Sequence, residues 1–132
     1  MKLVIGGYTQ GKLDYVLGEK ILTDFCIVES KLPNAEQLQG AKDSAKTVIV
    51  NHFHEWMRAN ILQGKNPEQE ILEFVGNNPN SIVISDEIGN GIVPLDSFER
   101  EYRERTGRIL VKLAEQADEV VRVICGIGQK IK

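Results

Sequence analysis

No apolar run in this sequence approaches the roughly 20 residues of a membrane span, and it shows no internal repeat, low-complexity tract or recognisable linker. The first absence excludes a spanning helix. The others leave the 132 residues as one domain, 1–132, long enough for a single hydrophobic core. An excess of positive charge is missing too. Sixteen Lys and Arg against nineteen Asp and Glu give a net charge of −3, too mild and of the wrong sign for general nucleic-acid or membrane-surface binding. The start turns into a glycine loop at Gly6-Gly7 too soon to hold a signal-peptide apolar core, so the expected location is cytoplasmic. The only two cysteines, Cys26 and Cys125, lie inside apolar stretches. Without an export signal they read as small core residues rather than a disulfide pair.

What is present is ordinary globular material, 42% apolar and 27% charged, arranged in a recognisable order. Short, nearly continuous apolar runs recur at Leu3–Ile5, Phe25–Val28, Thr47–Val50, Ile82–Ile84 and Val120–Ile124, as expected for strands covered on both faces. Helical spacing lies between them. Leu13, Val16, Leu17 and Ile21 mark a first helix; Trp56, Met57, Ile61 and Leu62 a second; Ile71, Leu72 and Val75 a short third after Pro67. The longest is predicted from about Leu95 to Ala117, with Leu95, Phe98, Tyr102, Ile109, Leu113 and Ala117 on one stripe and Asp96 and Glu99 forming a capping box. On its outer side Glu99–Arg103, Glu101–Arg105 and Glu104–Arg108 stack at i,i+4, which reads as a solvated face. Alternating strand and helix predict a three-layer α/β fold with a mostly parallel sheet, whose ligands bind beyond the carboxyl ends of the strands.

The first of those ends carries Gly6-Gly7-Tyr8-Thr9-Gln10-Gly11-Lys12-Leu13. The spacing matches G-x-x-x-x-G-K up to its last position. Glycines let backbone N–H groups curl around a phosphate, the following helix adds its positive end, and Lys12 reaches the outer phosphates. A full motif continues with Ser or Thr to hold Mg²⁺. Leu13 cannot ligate, and the hydroxyl of Thr9 stands at a different position. The same residues also allow a plain glycine turn with Lys12 facing solvent. After Ile82–Ile84 come Ser85, Asp86 and Glu87, then Gly89 and Gly91: either a phosphate, metal or substrate loop, or a connector whose acids are merely solvated. His52 and His54, spaced i,i+2, would project to one side of an extended segment, with Glu55 as a third metal ligand; hydrogen-bonded or exposed histidines are the plainer reading.

The stretch Asp86-Glu87-Ile88-Gly89-Asn90-Gly91-Ile92-Val93-Pro94 resembles a signature of the adenosylcobinamide kinase / adenosylcobinamide-phosphate guanylyltransferase family. Gly107-Arg108, Ala117-Asp118-Glu119-Val120 and the ending Gly126-Ile127-Gly128-Gln129-Lys130-Ile131-Lys132 fit it as well, and Gly6-Gly7 with Gly11-Lys12 fits its phosphate loop. The resemblance implies a RecA-like P-loop domain in corrinoid salvage or cobalamin assembly. Its ligands would be ATP or GTP together with adenosylcobinamide or another corrinoid, and its assembly a homo-oligomer. The residues it assigns are Gly6, Gly7, Tyr8, Thr9, Gln10, Gly11, Lys12 and Leu13 to the nucleotide, and Lys12, Asp86 and Glu87 to catalysis.

Three departures bear on activity. Leu13 replaces the metal-binding hydroxyl. The third strand ends in Asn51, where the family usually carries an acid; its amide oxygen can still take part in coordination but supplies no charge to Mg²⁺, and no metal ligand is assigned. The segment that holds the family's guanylylated histidine is reduced to Glu29–Lys46, without His, Arg or Trp. The expectation is a nucleotide-binding member with reduced or lost catalysis. An active kinase lacking the guanylyltransferase step and a ligand-free structural or regulatory subunit are the alternatives.

Overall fold

The computed structural model describes residues 1–19, 25–88 and 95–132. Ile21 and the signature residues from Gly89 to Pro94 lie outside them. In chain order the elements are β1 (Lys2–Gly6), α1 (Lys12–Glu19), β2 (Phe25–Glu29), α2 (Ala35–Asp43), β3 (Thr47–Asn51), α3 (Phe53–Leu62), α4 (Pro67–Asn77), β4 (Ile82–Asp86), α5 (Ser97–Gln116), β5 (Glu119–Ile124) and β6 (Ile127–Lys130).

The strands form one sheet in the order β2-β3-β4-β1-β5-β6. The first five are parallel, and β6 returns antiparallel on β5 through a tight turn. Alternation along each strand divides the core. Leu3, Val28, Val48, Val50, Val83 and Val120 face the layer of α2, α3, α4 and α5. Val4, Ile49, Ile82, Ile84, Val121 and Val123 face the other way, onto Val16 of α1. The predicted three layers and mostly parallel sheet are therefore present. Register brings Gly6 level with Asp86 and Val123, and Glu29 level with Asn51, so the strands finish on a common edge. From β1 the chain proceeds to β2 on one side, and from β4 it crosses to β5 on the other. That reversal at β1 is where such sheets open a crevice for ligands.

Several sequence expectations are corrected. Cys125 is exposed in the β5–β6 turn and Cys26 only half-buried, on opposite edges of the sheet, so they are neither paired nor both core residues. Leu62 and Leu95 are exposed rather than part of the apolar stripes. Asp96 caps α5 by accepting from the Phe98 and Glu99 amides, but the Glu99 carboxylate turns to Arg58 of α3 rather than completing the predicted box or the Arg103 pair. Arg58 lies 5.3 Å and 5.4 Å over the rings of Phe98 and Tyr102. Burial pushes the Tyr102 hydroxyl up to about 12, so it stays neutral.

The charged side of α5 is not only a solvated face. Arg105 pairs with Glu101 on its own helix at 3.2 Å, and it also grips Glu68 of α4 with two bonds of 2.7 and 2.9 Å. The hydrogen bonds from Arg105 hold the Glu68 carboxyl below the usual carboxylate range. A carboxyl depressed in the folded state stabilises above its unfolded pKa, and that contribution is lost as pH falls through the folded value. Glu68→Gln is thus expected to cost about 1 kcal/mol at neutral pH. The deficit should vanish in urea titrations run below the carboxylate range. An equal deficit at both pH values would show that the pair does not act through charge.

Candidate functional site

Gly6 ends β1 where no side chain fits. A Cβ there would stand 2.5 Å from the Val123 carbonyl oxygen of the adjoining strand, and the Gly6 carbonyl itself accepts from the Glu87 amide at 2.8 Å. The chain then curls through Thr9 at φ 54° and Gly11 at φ 83° before α1 begins at Lys12. Tyr8, at the tip, is exposed. The curl is clasped from the far end of the chain. Gln10 accepts from Gly126 N through its backbone carbonyl (2.8 Å) and from Cys125 N through its side chain (2.7 Å). Gly11 packs so close to Gly126 that a Cβ would lie 3.4 Å from the latter's Cα. A strand, a glycine curl and a helix N-terminus in this order place backbone amides and a helix dipole where a phosphate binds.

Lys12 does not face solvent, as the plain-turn reading expected it to. It is buried, and its Nζ donates to the Gly7 carbonyl at 2.7 Å and to Asp86 Oδ1 at 2.6 Å. Asp86 is likewise largely buried, so neither it nor Lys12 is a solvated connector charge. Glu87, the other acid, points to β5 and takes a bidentate grip from Arg122, at 2.5 Å to Nε and 3.0 Å to Nη2. The structure thus joins Lys12 and Asp86 and sends Glu87 to a different partner.

The histidines do not share an extended segment. His52 is the N-cap of α3 in the left-handed region (φ 53°), and the helix has begun by Phe53. His52 Nδ1 meets Glu29 Oε2 at 2.7 Å, whereas His54 is buried and meets Asp86. Glu55 accepts from Ser30 Oγ. Among the described residues no group of three or more His, Cys, Asp or Glu is placed to hold a metal ion, so the His52–His54–Glu55 set is not one.

On the metal side of the loop, Leu13 packs its side chain against the core of the α1 face. Asn51 is buried and turns its amide nitrogen to both oxygens of Glu29, at 2.9 and 3.1 Å. Two carboxylate oxygens beside one amide fix that orientation, because only the NH₂ end can donate. Burial alone would raise the pKa of Glu29, but the bonds from Asn51 and His52 outweigh it and hold the carboxyl low. At the two usual Mg²⁺ positions Leu13 therefore offers no ligand atom and Asn51 only its uncharged amide oxygen, with Glu29 the carboxylate beside it. Sequence reasoning overlooked both Glu29 and Arg122. Each had a signal: an acid closing one apolar strand, and a cation interrupting another.

A cleft of about 720 Å³ lies at the opposite end of the sheet, among Ala41, Lys46, Val48, Ser81 and Asp118. It is walled by the starts of strands, away from residues 6–12, and does not belong to this site.

Five parallel strands whose order reverses at β1, with helices on both faces, form a three-layer α/β domain consistent with the RecA-like P-loop class. The family model for cobinamide kinase / cobinamide phosphate guanyltransferase matches residues 22–131, and the chain belongs to that family. It is 45% identical over 51 residues to the bifunctional adenosylcobalamin biosynthesis protein CobU of Salmonella typhimurium, covering 39% of this chain and 28% of that one. It is also 26% identical over 112 residues to the bifunctional adenosylcobalamin biosynthesis protein CobP of Pseudomonas aeruginosa, covering 80% of this chain and 64% of that one. The chain thus aligns with less than two thirds of the length of these relatives. The family match begins after the phosphate loop, so the reading of residues 6–12 rests on their geometry. Among the described residues no helix is long and apolar enough to cross a membrane.

Proposed function

We propose that this chain binds the phosphates of ATP or GTP at residues 6–12 and serves corrinoid salvage or cobalamin assembly with reduced or absent phosphoryl transfer. The observation that carries the reading is Lys12, buried at the loop's mouth with its ammonium aligned by the Gly7 carbonyl and Asp86. Phosphoryl transfer rests on positioning and on neutralising charge with a metal ion and the loop lysine. This chain keeps the lysine, while Leu13 is turned to the core and the Asn51 amide is committed to Glu29. The pathway follows from the relatives' names, and the corrinoid is the partner that they suggest.

An active adenosylcobinamide kinase is the second reading. It is favoured by Glu29, whose carboxylate lies against Asn51 and returns the negative charge which that position lacks. Calorimetric titration with ATP and GTP, with and without Mg²⁺, separates the two. Micromolar binding that Mg²⁺ leaves unchanged is the expected result. Binding that requires Mg²⁺ and weakens in Glu29→Gln would favour the kinase, to be followed by assays with cobinamide. No binding of either nucleotide would overturn both and leave a structural or regulatory subunit.

A further inference from the structure

Asp86 stands where an outer phosphate oxygen would meet Lys12. Its Oδ1 lies 2.6 Å from Nζ, in a pair whose side chains are 8% and 14% exposed. The His54 imidazole touches Asp86 at two further points. Its backbone N–H donates to His54 Nδ1 at 3.1 Å, and its Oδ2 lies 3.3 Å from His54 Nε2. A ring nitrogen that accepts a hydrogen bond carries no proton, so the ring's proton sits on Nε2. His54 is therefore neutral. Burial, the largest influence, also keeps its pKa below the ordinary value, against the opposing pull of Asp86 and Glu55. Phosphate binding as described above makes no use of this buried histidine. Its position between Phe53 and Glu55, in the first turn of α3, fixes it against the end of β4.

We propose that Asp86 is a resident competitor for Lys12, and that His54 is the positioning residue that keeps it there, so that a nucleotide phosphate binds by exchanging for the carboxylate. The proposal rests on residues 6–12 binding phosphate. No covalent bond changes in the exchange. Nζ gives up its bond to Asp86 Oδ1 and takes a phosphate oxygen, and Lys12 keeps its charge. Asp86 keeps its contacts with His54. The apparent affinity is then lowered by the fraction of molecules in which Lys12 is free at any moment, so loosening Asp86 raises affinity with no new contact to the ligand.

The test titrates ATP and inorganic tripolyphosphate, without metal, into the full chain and into Asp86→Asn and His54→Ala. Asp86→Asn is expected to tighten both ligands about tenfold, the effect of a lysine free in about one molecule in ten before the change. His54→Ala removes no charge, yet it should tighten both severalfold. A histidine with only a structural role would weaken them. The ¹⁵N resonance of the Lys12 ammonium gives a second readout: in unliganded His54→Ala it should have moved already toward its position in the ATP-bound protein. Should that variant fail to fold, His54→Gln takes its place, and the near-isosteric Asp86→Asn decides the competitor claim by itself. Binding by the parent chain with no gain in either variant overturns the proposal and leaves the phosphate site intact. No binding in any of them overturns both. Binding only after Asp86→Asn upholds the competition at Lys12 and overturns nucleotide binding by the parent chain.

Discussion

Lys12→Ala is expected to abolish measurable triphosphate binding and to lower folding stability by about 3 kcal/mol. The first effect follows from losing the one side-chain cation placed in the curl. The second follows from the counter-ion left behind. Asp86 is 14% exposed, and without Nζ its carboxylate keeps, among the described residues, only His54 for compensation. Breaking a buried pair from one side strands a charge, whereas removing both partners does not. The double variant Lys12→Ala with Asp86→Asn should therefore recover most of the lost stability while still failing to bind. Urea unfolding of the four proteins in this cycle reads the stability, and calorimetry reads the binding. A lysine variant as stable as the parent chain would mean that the pair contributes nothing to the fold.

Phe53→Ala should be the most damaging change to the core, costing about 4 kcal/mol. Phe53 is fully buried at the start of α3, with its ring 5.8 Å from that of Trp56. It lies directly between the left-handed His52 and the buried His54. Truncation would leave a cavity at the one point where helix packing and site geometry meet. Domains of this size hold only about 5–15 kcal/mol in total. Thermal unfolding should show a midpoint lower by about 12 °C or more, and Phe53→Leu a loss of about 1 kcal/mol. A loss below that in the alanine variant would show that the start of α3 can collapse onto the space.

The parallel sheet was legible because its strands are buried on both faces and so read as unbroken apolar runs, such as Val48-Ile49-Val50 and Ile82-Val83-Ile84. The curl between β1 and α1 was legible because glycine and lysine at fixed offsets carry a geometry of their own. α2 went unread since its segment, Ala35–Asp43, has only Leu38 and Ala41 to turn toward the core. Its signal was the Asn34/Gln37 capping box, which the structure forms in both directions. β6 went unread because it is a four-residue, largely exposed edge strand. The two histidines are hydrogen-bonded, as the plainer reading had it, and the extended segment offered for them fails for a local reason: His52 in the left-handed region ends one strand and starts one helix within a single residue. The pairing of Lys12 with Asp86 spans 74 positions, and no periodicity carries that information. Only the strand order, with β4 set beside β1, brings the two together.

The clasp of Cys125 and Gly126 on Gln10 also sets an order of events during synthesis. Residues 6–12 emerge from the ribosome first among the site's parts, yet the amide that meets the Gln10 side chain is 115 positions downstream. Contacts so distant in sequence form late, after the intervening chain has lost its freedom. The nascent chain can stack β1 to β4 and bury much of its interior before the curl has a wall to lean on. The curl is then closed by an amide made 115 positions after Gln10, so its final shape arrives with the turn between β5 and β6 and not with the earlier folded portion.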